Sequence, residues 1–456
     1  ITHTGGTGDL YARTFTNQGT VAVTSGTLNV GSTTAGYNTA NSGTITANGS
    51  GALVNLNGNV ANTGTLLAQN SGILRFTGTN TTANLGTVQI ATGGAVQFNG
   101  TLDNTAATLT APTGGSYQLF GGTIVGGTIG SGALTFTTSG GTLNGVTFTG
   151  AATLGASTNA GIAGNTSAVS GSFTFGTNSY LYLNNANATL TFDNDTVATG
   201  DIRILADSST GTVLTNQGGI THTGGTGDLY ARTFANQGTV AVTGGTLNVG
   251  STTAGFNTAN SGLITANGSG ALGNLNGNVA NTGTLLAQNS GILRFTGTNT
   301  TANLGTVQIA TGGAVQFNGT LDNTAATLTA PTGGSYQLFG GTIVGGTIGS
   351  GALTFTTSSG TLTGVTLTGA TVLPASTNTG IAGSTGVVGG NLTFGTNAYI
   401  YLNNVNAAFA FDGASTATGD IRILDNGSAG TALTNQGVIT HTGGTGDLYA
   451  RTFTNQ

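Results

Sequence analysis

The phrase Ile1-Thr-His-Thr-Gly-Gly-Thr-Gly-Asp-Leu-Tyr-Ala-Arg-Thr-Phe15 returns at residues 220–234 and again at 439–453, after the same interval both times. Whatever folds here must repeat on that interval, so the period has to be explained before any motif is read. The sequence organises itself as a first unit at 1–219, a second at 220–438 and the opening of a third at 439–456. It begins and ends inside the pattern, as expected of a window on a longer repetitive protein. These boundaries mark periodicity, and no linker composition separates them, so one continuous solenoid is expected.

A shorter rhythm runs inside the long one. Asn17-Gln-Gly19, Asn41-Ser-Gly43, Asn62-Thr-Gly64 and Asn84-Leu-Gly86 each lead into a Thr-initiated apolar segment, with Asn104 next. These Asn anchors recur at intervals of roughly 20 to 24 residues, the step of a short repeat. Each is followed by a second, Gly-led segment such as Gly51-Ala-Leu-Val-Asn-Leu56, Gly72-Ile-Leu-Arg-Phe76 or Gly94-Ala-Val-Gln-Phe98. Apolar residues alternate with Thr, Asn, Gln or Arg, the period of a half-buried strand. Gly and Asn at the corners suit positive φ. No helical spacing is sustained, and 84 Gly would make helices costly.

Strands at a period near 22, with no room for a helix between them, predict an all-β fold. The parallel β-solenoid fits: about 22 residues per coil and about ten coils per 219-residue unit. Propeller blades need roughly twice that length, and a sandwich does not persist through near-identical repeats. At about 4.8 Å per strand, ten coils would extend about 48 Å. A coil cannot overcome its own ordering entropy, so stability should accumulate by stacking, with inward Asn forming amide ladders at the corners.

Composition narrows the function. Charged residues make up 4% of the chain; all basic residues are Arg, all acids are Asp, and Lys, Glu, Cys, Met and Trp are absent. A net charge of −5 argues against nucleic acid, which needs clustered cations. No apolar run is long enough for a spanning helix, so no membrane insertion is expected. A surface solvated by hydroxyls and amides favours an exported polymer.

The Asn-x-Gly-Thr-Val/Ile/Leu strand openings, the Gly-Gly-Thr-Leu turns and the phrase Gly141-Thr-Leu-Asn-Gly-Val-Thr-Phe148 resemble the repetitive passenger regions of bacterial autotransporters and filamentous-haemagglutinin-like adhesins. The resemblance implies a right-handed β-helix, exported to the bacterial cell surface or into a secreted filament, and transfers no active-site motif. The near-identical duplication fits a scaffold: residues 1–139 and 220–358 differ at five places, Thr16/Ala235, Ser25/Gly244, Tyr37/Phe256, Thr44/Leu263 and Val54/Gly273.

Candidate chemistry is sparse. Gly5-Gly-Thr-Gly-Asp9 is one residue short of a calcium-binding nonapeptide and stands alone in each unit; a turn in which Asp9 pairs with Arg13 is expected instead. His3, His222 and His441 lie between Thr residues without metal-ligating neighbours, so an outward or hydrogen-bonded role is expected. Asp201/Arg203 and Asp420/Arg422 share strand faces and should pair. Asp195 has no counterpart in the second copy, where Asp412-Gly-Ala414 replaces Asp193-Asn-Asp195. Pairs such as Thr2/Thr4, Thr44/Thr46 and Thr147/Thr149 are too scattered for an ice-binding array. Polysaccharide-cleaving β-helices need acid clusters that twelve dispersed Asp do not form. Tyr180/Tyr182 and Tyr399/Tyr401 are the candidate contact residues, for glycans or a neighbouring rod.

The expected function is an extracellular filament, sheath or stalk element without enzymatic activity, catalytic residues, metal or cofactor. Its expected partners are copies of itself, with cell-surface or matrix glycans as the other candidates. The alternative is a surface adhesin in which the solenoid is a spacer for a binding tip elsewhere.

Overall fold

Alternating side chains make each segment two-faced, and its partner is the same segment one winding away. In the computed structural model, which describes residues 1–206, 209–253 and 255–456, short parallel strands pair in this way throughout. The fold is all-β, a right-handed parallel β-solenoid of about 22 residues per coil and about 21 turns. Successive coils vary in length. A short one brings Tyr117 into register with Leu134, and a long one brings Asn29 into register with Asn55.

The chain divides into two compact units, Ile1–Arg232 and Thr233–Gln456. In the first, one coil is made by the strands Asn38–Asn41, Thr44–Asn48 and Ala52–Leu56. The next is made by Asn59–Asn62, Thr65–Gln69 and Ile73–Phe76, each paired with its predecessor in parallel. In the second unit Asn257–Asn260, Leu263–Asn267 and Leu272–Leu275 are followed in the same way by Asn278–Asn281, Thr284–Gln288 and Ile292–Phe295. A coil thus has three sides. The sequence reading finds two of them; the third is the anchor itself. Asn-Thr-Ala-Asn and Asn-Val-Ala-Asn look like turns by composition, but they are strands with one buried Thr or Val and a buried terminal Asn.

The inward positions form columns. Val30, Leu56, Phe76, Phe98, Leu119 and Phe136 lie in one register and are buried. Phe76, Phe98 and Tyr117 stack with centroids 5.7 and 5.0 Å apart, and Phe295, Phe317 and Tyr336 repeat those spacings in the second unit. Burial pushes the phenols of Tyr117 and Tyr336 up to about 12. A fully buried side chain of this size stabilises by roughly 1.5–3 kcal/mol. One inward position differs between copies. Val54 becomes Gly273, and a Cβ built there would lie 2.9 Å from Leu293 Cδ2, so Leu293 leans into the space of the missing valine.

The corners are held by amides. Asn17 Nδ2 donates to Asn41 Oδ1, and Asn41 Nδ2 to Asn62 Oδ1, each at 2.7 Å. The second unit repeats the ladder through Asn236, Asn260 and Asn281, each step at 2.6 Å. Each Asn also reaches backbone carbonyls of its own or the next corner, as Asn41 does at Gly43 and Thr65. Such amides are worth burying because their partners are supplied by the coil above and the coil below. Asn84 does not join the ladder. Residues Thr82–Leu85 form a 3-10 turn, and Asn62 donates to the Leu85 carbonyl at 2.7 Å instead. Asn104 then resumes, accepting from the Thr82 hydroxyl at 2.7 Å.

The glycines of the Asn41-Ser-Gly43 and Asn62-Thr-Gly64 corners are there for close approach. A Cβ on Gly43 would sit 2.0 Å from the Gly19 carbonyl oxygen, and one on Gly64 2.1 Å from that of Gly43. Neither residue has positive φ, so the turn chemistry expected from the sequence is not what these two satisfy.

Candidate functional site

The recurrent phrase builds a corner around a histidine. In the first unit Gly219–His222 pairs with Thr196–Gly200 and Thr226–Tyr230 with Arg203–Ala206. His222 points inward and is fully buried. It bonds to the backbone at Gly225, and burial holds its pKa below the ordinary imidazole value, against opposing pulls from Asp201 and Asp228. A Cβ on Gly227 would lie 2.6 Å from His222 Nδ1. The glycines of Gly224-Gly-Thr-Gly227 therefore make room for an imidazole, which explains the likeness to a calcium loop without calcium. His3 and His441 hold the same local contact, with Nε2 3.3 Å from the carbonyls of Gly6 and Gly444. The inward direction of His222 was missed because Thr neighbours read equally well on either face.

The acid of the phrase does not pair within its own copy. Asp9 accepts from Asn29 Nδ2 at 2.9 Å, whereas Arg13 lies over the Tyr37 ring, 5.2 Å from its centroid. The backbone folds back at Leu10–Ala12, which carries Arg13 round the corner and leaves Asp9 facing the next coil. Asp228 stands in register with Arg203, and Asp447 lies 3.0 Å from Arg422 Nε. Arg203 Nε is 3.6 Å from Asp201, the pairing expected from the sequence. Asp201 and Asp420 each accept a backbone N–H, from Asn178 at 3.2 Å and Asn397 at 3.0 Å.

The tyrosine pairs are tied into this network. Tyr180 and Tyr182 face outward, half-buried, with near-parallel rings 5.7 Å apart at 13°, over the buried Leu181 and Leu183. The Arg203 guanidinium covers the Tyr180 ring at 5.2 Å and donates to its hydroxyl at 2.6 Å. Tyr399 and Tyr401 repeat the arrangement at 5.8 Å and 10°. Arg422 lies 4.3 Å from the Tyr399 centroid. Tyr230, on the next coil of the first unit, has its phenol pushed up to about 12 by burial and by Asp228.

One further arrangement was not apparent in the sequence. Arg75 Nε donates to Gln97 Oε1 at 2.9 Å, and Gln97 Nε2 to Gln118 Oε1 at 2.9 Å. The guanidinium lies 4.5 Å from the Phe120 centroid, and burial alone lowers its pKa. Arg294, Gln316, Gln337 and Phe339 repeat this ladder. None of the ion pairs among the described residues includes Arg75 or Arg294.

Among the described residues no three His or Asp side chains converge as a metal site would require, and no helix is long and apolar enough to cross a membrane. No protein-family model matches the chain, and no curated protein matches it.

Proposed function

We propose that this chain is an extracellular structural protein: a β-solenoid that serves as a filament, sheath or stalk element through coil stacking. The observation that carries this reading is where the distinctive residues go. The Asn anchors, the Arg203–Tyr180 pair and the Arg75–Gln97–Gln118 row connect one coil to the next, as does the buried His222, whose Nδ1 accepts the Ile202 N–H at 3.4 Å. A solenoid built this way gains by nearest-neighbour terms and has no intrinsic length limit. Export is supported by a surface without Lys or Glu and by the resemblance to autotransporter passenger regions.

Electron microscopy with fibre diffraction of the purified protein tests the reading. Unbranched rods with an axial reflection near about 4.8 Å are expected. Compact particles, or turnover of a polysaccharide substrate, would overturn it.

A further inference from the structure

Charge is scarce enough here for arginines to be followed one by one to their partners. Arg203, Arg422 and Arg451 lie 3.6, 3.0 and 3.2 Å from the carboxylates of Asp201, Asp447 and Asp425, and Arg13 reaches the Ala35 carbonyl through Nη1. Arg75 and Arg294 are different. Among the described residues neither has a carboxylate within salt-bridge distance. Each guanidinium gives one hydrogen bond, from Nε, to Gln97 or Gln316. The Nη nitrogens find no acceptor among the described residues.

Each guanidinium is nevertheless held in place. Arg75 stands on the outward face of its strand, since Leu74 and Phe76 are the buried neighbours. Gln97, itself buried, turns Oε1 toward Arg75 because its Nε2 donates to Gln118 at 2.9 Å. The amides of this row therefore present their oxygens to the cation. Phe120 lies against the guanidinium, 4.5 Å from Cζ to the ring centroid. Gln316, Gln337 and Phe339 hold Arg294 in the same way within the second unit, with the ring at 4.4 Å. With Nε taken, the edge that remains carries Nη1 and Nη2, whose N–H groups match the two oxygens of a carboxylate. Burial lowers the pKa of both arginines; a carboxylate at that edge restores part of what the cation loses by desolvation.

We infer that Arg75 and Arg294 each bind the carboxylate of an acidic sugar residue set among neutral sugars. The ligand class follows from the surroundings. No other base occurs between Arg13 and Arg203, or between Arg232 and Arg422. A closely charged polyanion would leave most of its charge unmatched on such a surface. What stands beside each arginine in register is amide: Asn55 and Gln97 for Arg75, Asn274 and Gln316 for Arg294. One carboxylate on a neutral, hydroxyl-rich body fits one guanidinium among amides, with an aromatic ring at hand for the sugar's C–H face. A single half-exposed contact of this kind is weak and screened by salt.

Ligand-observed NMR titration of the full chain tests this with methyl glucuronoside, its neutral counterpart methyl glucoside, acetate, and a Gly-Asp-Gly peptide blocked at both ends. Wild type should bind the glucuronoside, less well as salt rises, and bind each of the other three at least about tenfold more weakly. R75Q/R294Q should lose at least about tenfold in glucuronoside affinity. Q97E/Q316E should lose as much although both guanidinium groups remain, because each then has an internal carboxylate. Circular dichroism checks the fold of both variants. Failure of wild type to bind the glucuronoside, binding of the glucoside as tight as that of the glucuronoside, or R75Q/R294Q binding like wild type would overturn the site. Acetate or the peptide binding as tightly as the glucuronoside would overturn the sugar assignment. The inference goes beyond the filament reading and stands apart from it: rods that bind no sugar still give the axial reflection, and compact particles that bind the sugar would sink the filament reading alone.

Discussion

Val54 and Gly273 occupy the same inward place in two copies of one coil, so the chain carries its own cavity mutant. In the first copy Val54 is fully buried between Leu28 and Leu74. In the second, Gly273 lies between Leu247 and Leu293, and only the far end of the Leu293 side chain closely opposes a new Cβ. Gly273→Val should therefore stabilise the second unit by about 1–3 kcal/mol, from restored burial and lost chain entropy. A urea titration reads it as a raised midpoint with unchanged slope; a lowered midpoint would mean that the surrounding coil has repacked irreversibly around glycine. His222 gives the pH-dependent counterpart. Its folded pKa lies below the ordinary 6.5, so below that value the unfolded chain binds a proton that the folded chain refuses. Stability should be full above about pH 6.5 and fall as pH drops through and beneath it. Thermal midpoints at about pH 7.5 and about pH 5 should show this fall, and His222→Gln should flatten it. Asp103, Asp322 and Asp412, whose pKa values are lowered, titrate further down and leave this window clear.

At the scale of the single coil, what could be read in advance was whatever depends on period. The alternation in Gly72-Ile-Leu-Arg-Phe76 or Thr65-Leu-Leu-Ala68 fixes a strand with one buried face, and the Asn spacing fixes the winding. What stayed hidden depends on contacts between coils. The Asn-Thr-Ala-Asn strand is polar by composition, and it becomes a strand because its terminal Asn finds amides above and below. Gly43 looks like a turn residue but answers to the carbonyl of Gly19, one coil earlier in the chain. Leu85 takes the ladder place that Asn84 would hold by spacing, because a 3-10 turn shifts which residue faces the corner. The candidate residues follow the same division. Tyr180 and Tyr182 could be assigned to one shared face from their i, i+2 spacing, but that this face points outward, and that the arginine covering Tyr180 comes from the next coil, could not. The pairing of Asp447 with Arg422 likewise joins residues 25 positions apart, a separation that means contact only once the coil length is known.

For the molecule as a whole, the consequence of such nearest-neighbour construction is that length should be adjustable in whole coils and in no other step. Removing residues 42–62 takes out one full winding, the interval from Asn41 to Asn62, and joins Asn41 to Thr63-Gly64. Asn17 would still donate to Asn41, which would inherit the Leu85 carbonyl now taken by Asn62. The inward Leu28 would meet Leu74 in place of Val54, an exchange between apolar residues of similar size that cores tolerate. Removing residues 42–51, about half as many, would place the Ala52–Leu56 side where the Thr44–Asn48 side belongs and interrupt the three-sided winding. The whole-coil deletion should keep the strand signal in circular dichroism, a cooperative transition, and stability within about 3 kcal/mol of the parent. The half-coil deletion should lose cooperativity or aggregate through its broken edge. If both deletions behaved alike, stability would not be carried by coil-to-coil register, and the reason for reading this chain as a stack of interchangeable windings would be gone.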